Sequence, residues 1–367
     1  NRTGAPVLAI ASHIPSVQIG STYFQETHPD RIFEECSVYN ELISSAAQSP
    51  RTVNSAIRHA VGIGGVSVIT LPGDVSDLKA VDHVPTYAPA RPATLAPNAT
   101  DIEEAAALLN KADKVAIFAG AGVEGAHDEV IALADALKAP IGHSLRGKHF
   151  IQYDNPFDVG MTGLLGYGAA AEGMNDADVL ILLGTDFPYD QFLPDTPTIQ
   201  VDTHAEKLGR RTDVGLAIHA QVKPFIEALM PHLRQDRSDS FLKRKLKKHA
   251  EIMHAPVGAY TRNVEKMHPI HPEYAAHLLN ETAAKDAIIT ADTGMCNVWT
   301  ARYLDPLGTR RLIGSFLHGS MANALPMALG AQVAFPDRQV VSVSGDGGLS
   351  MLLGELITAK MYNLPVK

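Results

Sequence analysis

The sequence predicts an α/β protein of parallel sheets flanked by helices, and three observations carry that prediction. Apolar runs of strand length recur at residues 7–11, 66–71, 115–119, 179–183, 199–201, 288–291 and 340–343. Helical patterns alternate with them at 51–61, 101–110, 124–137, 272–283 and 321–333, as expected where crossover helices join parallel strands. Several of the runs empty into glycine-bearing turns, where a doubly wound sheet presents ligand-binding backbone at its carboxyl edge.

Composition shifts divide the chain. Five prolines (Pro72, Pro85, Pro89, Pro92, Pro97) fall in a stretch without apolar periodicity, which places a first domain boundary near residue 90. Residues 233–249 are strongly charged. With Asp236, Asp239 and Glu251 nearby, Lys243-Arg244-Lys245-Leu246-Lys247-Lys248 reads as the solvated face of a connector helix rather than an anionic-surface patch, and a second boundary lies between 235 and 270. There is no internal repeat and no low-complexity tract.

Hydrophobic residues at 46% and charged ones at 19% describe a globular protein. No apolar run approaches the roughly 20 residues of a membrane span. A net charge of −9 argues against non-specific nucleic-acid binding and favours small-molecule chemistry. Cys36 and Cys296 are too far apart in sequence to suggest a disulfide framework or zinc spacing, so a reducing cytoplasm is the expected setting. The chain opens at Asn1 and closes on Asn363-Leu364-Pro365-Val366-Lys367, a turn leading into a further strand, so both termini are expected to be internal to a longer protein.

The sharpest chemical signal is Gly345-Asp346-Gly347-Gly348, at the end of the run 340–343. Bare N–H groups and one carboxylate at a strand end suit a diphosphate held through a divalent cation, which prefers hard oxygen ligands. On these four residues alone, a tight turn with a solvated Asp weighs equally. Ala291-Asp292-Thr293-Gly294 and Ser315-Phe316-Leu317-His318-Gly319-Ser320-Met321 would face this turn if their strands are neighbours. A lone His318 is more often a hydrogen-bonded structural residue than an acid or base.

In the middle segment, residues 115–119 turn through Gly120-Ala121-Gly122-Val123-Glu124-Gly125, a GxGxxG match suited to a pyrophosphate. The acidic residue expected roughly 20 positions on for a nicotinamide ribose is replaced by Gly142-His143-Ser144. Leu145-Arg146-Gly147-Lys148, Gly160-Met161-Thr162-Gly163-Leu164, Gly184-Thr185-Asp186-Phe187-Pro188-Tyr189 and Gln200-Val201-Asp202 are each ordinary loop chemistry alone, but together they would line one sheet edge. Phe24-Gln25-Glu26-Thr27 identifies no function by its local chemistry, and prolines make His268-Pro269-Ile270-His271-Pro272 a loop rather than a metal site.

The order of these motifs, with Tyr23-Phe24-Gln25-Glu26-Thr27, Leu71-Pro72-Gly73-Asp74-Val75 and His318-Gly319-Ser320-Met321-Ala322-Asn323-Ala324-Leu325-Pro326, resembles the thiamine-diphosphate-dependent enzymes of the pyruvate oxidase and acetohydroxyacid synthase group. Residues 310–326 look closest to the bacterial pyruvate dehydrogenase (quinone), or pyruvate oxidase, branch. The resemblance implies a three-domain architecture with its first and last domains truncated. Residues 1–85 would be the C-terminal part of a pyrimidine-binding domain, 95–235 a middle FAD-binding domain, and 265–367 the N-terminal part of a diphosphate-binding domain.

It further implies that Asp346 is the magnesium ligand, with Gly345, Gly347, Gly348 and Ser350 contacting the diphosphate and Gly294, Met295, His318, Gly319, Ser320 and Met321 completing the cradle. FAD would be held through Gly120, Gly122, Gly125, Arg146, Lys148, Thr162, Gly184, Thr185 and Asp202. Phe24 and Gln25 would face the reacting ring from a neighbouring subunit. The implied chemistry is decarboxylation of pyruvate with thiamine diphosphate as electron sink, two-electron transfer to FAD and on to a quinone, and release of acetate. The implied assembly is a homotetramer in the cytoplasm, with peripheral contact at the inner face of the membrane through a segment beyond Lys367.

There are departures from the pattern. The family's base-activating glutamate would lie upstream of Asn1, and the asparagine that joins the motif's Asp on magnesium would lie beyond Lys367, so the 367-residue chain alone is expected to be inactive. Ala220-Gln221 stands where FAD-binding members have Gly-Asp near the adenine. Two alternatives remain at this stage: an acetohydroxyacid synthase, and an inactive nucleotide-binding fragment.

Overall fold

A computed structural model describes residues 1–82, 88 and 93–367. Of the expected linker, Pro85, Pro89 and Pro92 lie outside the described residues, as does the boundary near residue 90. The chain separates into two compact units, 1–93 and 94–367.

In the first unit, strands β1 (Val7–His13), β2 (Tyr39–Leu42) and β3 (Val66–Pro72) form a parallel sheet in the order β1-β3-β2. Its core gathers Ile43, Ala56, Ile69 and Val75, with Ala56 supplied by the helix Ser49–His59.

The second unit holds two sheets. The larger comprises β4 (Val115–Ala119), β5 (Ile141–His143), β6 (Asp158–Met161), β7 (Tyr167–Gly168), β8 (Val179–Leu183), β9 (Thr198–Asp202) and β10 (Leu216–His219). Their spatial order is β10-β9-β8-β4-β5-β6-β7, parallel except for β7. From β4 the chain builds outward through β5 to β7, then returns to the other side of β4 with β8. The order therefore reverses between β4 and β8, the position where such sheets open a ligand crevice. Every residue of β4, β8 and β9 is buried, because helices cover both faces of a parallel sheet. The main core lies here, around Ile117, Leu133, Ile181 and Phe225.

The smaller sheet comprises β11 (Ile288–Ala291), β12 (Arg311–Gly314) and β13 (Val340–Val343), all parallel, in the order β12-β11-β13. Its reversal lies between β11 and β13.

All seven expected strands are present. The six that sequence reading missed (β2, β5, β6, β7, β10, β12) are short or interrupted by polar residues and glycine, so none makes a continuous apolar run. The helix expected from residue 124 begins later, as His127–Leu137. A 3₁₀ turn, Ala121–Val123, and Gly125 at φ +74° come first, so the glycine motif does not open directly into the helix.

The charged segment is a helix, Ser240–Ile252, but it does not have a wholly solvated face. Phe241, Leu242 and Lys245 are buried, and the Lys245 ammonium, only 3% exposed, bonds Glu172 Oε1 at 2.6 Å and Asp176 Oδ2 at 2.5 Å. The supposed connector is thus anchored onto the helix Ala170–Asn175 of the larger sheet. Among the described residues no helix is long and apolar enough to cross a membrane.

Candidate cofactor sites at two sheet edges

At the reversal of the larger sheet, the turns after β4 and β8 interlock. Gly120 N donates to Leu183 O and Gly122 N to Gly184 O, both at 2.9 Å. A Cβ on Gly122 would meet Gly184 Cα at 2.6 Å, and one on Gly120 would run into Gly184 O and Thr185. These glycines are therefore required by backbone packing, and Gly184, at φ +58°, also by conformation. Of the expected FAD residues, the fold brings Gly120, Gly122, Gly184 and Thr185 together. Asp202 closes β9 at the same edge, with Oδ1 accepting from His204 N at 2.9 Å.

Gln200, which sequence reading did not single out as a site residue, locks this edge. Its amide nitrogen donates to Thr185 O at 3.0 Å, and its oxygen accepts from Gly209 N at 2.8 Å. The available signal was one amide in the otherwise apolar middle of β9. Asp186 is likewise held, by ion pairs to Arg210 and Arg211.

Other expected FAD residues are placed differently. Lys148 is 3% exposed and donates to Tyr167 Oη at 2.9 Å, with Gln152 Nε2 on the same hydroxyl, also at 2.9 Å. Burial pulls its pKa down to about 8, against the opposing pull of Asp305 and Asp158. Arg146 is half-buried, and burial lowers its pKa too. Thr162 is buried just after β6, and a Cβ on Gly125 would meet open space. Gln221, the departure from the FAD pattern, exchanges bonds with Leu95: its N donates to Leu95 O at 2.9 Å and its Oε1 accepts from Leu95 N at 3.2 Å.

His143 is fully buried beside this group. Among the described residues its Nε2 finds no hydrogen-bond partner, and Asp158 Oδ1 lies 3.5 Å away. Desolvation lowers its pKa to about 4 despite Asp158.

At the smaller sheet, three turns meet at one carboxyl edge, as the sequence expectation required. The Gly345 turn follows β13 and leads into the helix Asp346–Met351, with Asp346 exposed in its first turn. Met321, from the loop after β12, lies against Gly347: a Cβ there would come 3.3 Å from Met321 Cε. Gly319, at φ +73°, donates its N–H to Ser315 O at 2.7 Å, closing a turn in which His318, Gly319 and Ser320 are exposed. Gly294 caps the helix Met295–Tyr303, and Met295 is exposed at its start. Ser350 Oγ donates to Gly347 O at 2.9 Å, within its own helix turn.

Asp292 is the residue missed here as a site group. It is 1% exposed, its Oδ1 accepts from Asn323 N at 2.8 Å and Asn323 Nδ2 at 2.9 Å, and its Oδ2 is buried without a hydrogen-bond partner among the described residues. A Cβ on Gly348 would collide with that oxygen.

This edge fits a magnesium-bound diphosphate. Gly345, where a Cβ would meet open space, leaves backbone approachable and Asp346 offers one hard oxygen ligand, whereas the bare faces expected of Gly347 and Gly348 are taken by Met321 and by Asp292 Oδ2. Among the described residues no group of three His, Cys, Asp or Glu could hold a metal ion. A one-carboxylate arrangement suits magnesium, which keeps waters and takes other oxygens from a phosphate. The interlocked turns after β4 and β8 stand where doubly wound sheets bind nucleotides, but Gly120 N and Gly122 N are already donated to Leu183 O and Gly184 O.

In the first unit, Glu26 accepts from Gly20 N at 2.5 Å and Tyr23 N at 3.1 Å. The Gly20 amide holds its carboxyl below the usual range. That loop leaves Phe24 78% exposed, followed by Gln25 at φ +62°. Asp74 of the Leu71–Val75 motif accepts from Ser16 N at 2.7 Å and Ser16 Oγ at 2.5 Å.

Parallel sheets with interlocked glycine turns at one reversal and a glycine-and-carboxylate turn at another define a doubly wound α/β protein. The chain belongs to the thiamine pyrophosphate enzymes: residues 102–229 match the family's central domain and residues 292–367 its C-terminal TPP binding domain. It is 34% identical over 366 residues to the putative thiamine pyrophosphate-containing protein YdaP of Bacillus subtilis, covering 99% of this chain and 63% of that protein. It is 30% identical over 377 residues to acetolactate synthase isozyme 1 large subunit of Escherichia coli, covering 99% and 64%. It is 27% identical over 373 residues to the pyruvate oxidase of Lactiplantibacillus plantarum, covering 98% and 60%. The chain thus spans less than two thirds of the length of these relatives.

Proposed function

We propose that the protein is a thiamine-diphosphate- and FAD-dependent enzyme that oxidatively decarboxylates pyruvate to acetate and carbon dioxide and passes the electrons to a quinone. The observation that supports this reading is the presence in one chain of both edges: a diphosphate cradle presenting Asp346, and a glycine-interlocked crevice between β4 and β8. When bound, thiamine diphosphate supplies an electron sink for the loss of carbon dioxide, and FAD a two-electron acceptor.

Asp346 would hold the magnesium ion, the open Gly345 would let phosphate oxygens come close to the main chain, and Gly347 and Gly348 would offer the N–H groups of the first helical turn. Met321 covers Gly347 and Met295 stands exposed at the next strand end, so the cradle carries apolar side chains beside its charge. The turns built on Gly120, Gly122, Gly184 and Thr185 would border the FAD pyrophosphate, with Gly120 N and Gly122 N themselves committed to holding the turns together, and Asp202 would take a ribose hydroxyl. Phe24 and Gln25 face the reacting ring of a partner subunit in a homotetramer, and their exposure leaves them available for that role. Lys148 acts in this reading as a buried structural cation rather than as a cofactor ligand.

Acetolactate synthesis is the competing activity, since relatives of similar identity carry that name. Anaerobic mixing of the flavin-loaded full-length protein with pyruvate separates the two. Bleaching of the flavin with formation of acetate is expected; acetolactate formed while the flavin stays oxidised would overturn the oxidase reading.

A further inference from the structure

We propose that Asp292 is a positioning residue of the diphosphate cradle, a buried carboxylate that holds the 315–323 loop and the 345–348 turn at a fixed separation. The proposal rests on reading that edge as the thiamine diphosphate cradle. Asp292 is the first residue beyond β11, the central strand of the smaller sheet, and so stands between the ends of β12 and β13. Its own N donates to Val343 O at 3.0 Å, fixing its height against β13.

The two carboxylate oxygens do different things. Oδ1 accepts from Asn323 N at 2.8 Å, Asn323 Nδ2 at 2.9 Å and, more weakly, Ala324 N at 3.4 Å. It thereby caps the eleven-residue helix Ala324–Ala334, where a negative charge meets the helix's unpaired N–H groups. Asn323 carries the restraint into the loop: its Oδ1 accepts from Ser315 N at 3.2 Å and its Nδ2 donates to Ser320 O at 2.6 Å. Oδ2 reaches the other way and fills the volume that a side chain at 348 would need. It is buried with no donor among the described residues, an arrangement that costs stability and persists only where its surroundings hold it.

The 315–323 loop and the 345–348 turn are therefore tied together twice, at the cradle through Met321 on Gly347 and beneath it through Asp292. At 1% exposure, Asp292 acts on the ligand only through these neighbours.

A double-mutant cycle on the full-length protein tests the packing part without any ligand. Gly348→Ala alone is expected to lower the melting temperature by about 4 °C, because the new methyl meets Oδ2. In the Asp292→Ala background the space is free, so the double variant should melt no lower than Asp292→Ala itself; additive shifts would overturn the proposal. Amide hydrogen exchange should quicken in both 315–323 and 345–350 for Asp292→Ala, while β4 and β8 stay protected. Asp292→Asn retains the Oδ1 acceptor and should restore the 315–323 loop. Unchanged exchange in either segment would overturn it.

Calorimetry with thiamine diphosphate and magnesium chloride supplies the functional arm. Asp292→Ala should weaken binding by about tenfold, with Asp292→Asn nearer the unmodified protein. Loosened segments with unchanged affinity would overturn the positioning role. Absence of magnesium-dependent heat from the unmodified protein would instead refute the cofactor reading, leaving the melting cycle to decide the packing role of Asp292.

Discussion

Gly122 and Gly184 meet backbone to backbone across the reversal of the larger sheet: Gly122 N bonds Gly184 O at 2.9 Å, and a Cβ on Gly122 would come 2.6 Å from Gly184 Cα. The approach of the turns after β4 and β8 is set by this contact, since any side chain at 122 would force them apart. Gly122→Ala is therefore expected to destabilise the protein by about 1–3 kcal/mol and, on the proposed function, to lower the flavin bound by the full-length protein. Gly125→Ala has open space and incurs only the strain of φ +74°, about 1 kcal/mol, with flavin retained. Thermal unfolding and flavin absorbance of the two variants check the contrast.

Lys148 makes stability depend on alkaline pH. Its pKa falls from an ordinary 10.5 to about 8 in the folded protein, so between those values the unfolded chain binds the proton and the folded chain does not. Stability attributable to this group therefore rises with pH across that window, and below it the buried charge costs up to about 3 kcal/mol. Lys148→Met should raise stability at pH 7 or leave it unchanged, flatten the dependence between pH 8 and 10.5, and retain flavin. Urea unfolding at stepped pH measures the first two; loss of flavin would return Lys148 to the cofactor site.

The Lys245 ammonium, buried while Glu172 and Asp176 are roughly half exposed, holds the helix Ser240–Ile252 against the larger sheet. Lys245→Ala removes that anchor and the stem packed beside Phe241, a loss of about 2 kcal/mol once solvent screening of the carboxylates is allowed for. The expected readout is a lower melting temperature with earlier proteolysis within 234–252, and no change in thiamine diphosphate affinity.

Asp346 is exposed, so Asp346→Ala should leave the melting temperature without ligand within about 1 °C. Magnesium-dependent binding of thiamine diphosphate should be lost. Calorimetry at several magnesium concentrations measures this, and retained magnesium dependence would move the cation to other residues.

Much of this was legible in the residues. Buried parallel strands such as β4 and β8 are continuous apolar runs, and the turns at Gly120 and Gly184 stand out because glycine is needed where backbone approaches backbone, while Gly345 stands out by its place beside Asp346 at a strand end. Short strands such as β5 and β12 were not legible, because three or four residues containing glycine or charge carry no period and become strands only through pairing with a neighbour. The Lys243–Lys248 run looked wholly solvated, since nothing local shows that Glu172 and Asp176 will stand beneath Lys245.

The sequence by itself determined the α/β alternation, the glycine turns and the acidic residue offered at Asp346, because each depends on residues within a few positions of one another. Only the tertiary structure decided which turns share an edge, that Lys148 faces Tyr167 from a buried position, and that Asp292 fills the space beside Gly348. Those outcomes depend on strand order and on distances between residues far apart in the chain. Burial then makes each such contact count, because a polar atom withdrawn from water depends on the few partners the fold brings within reach.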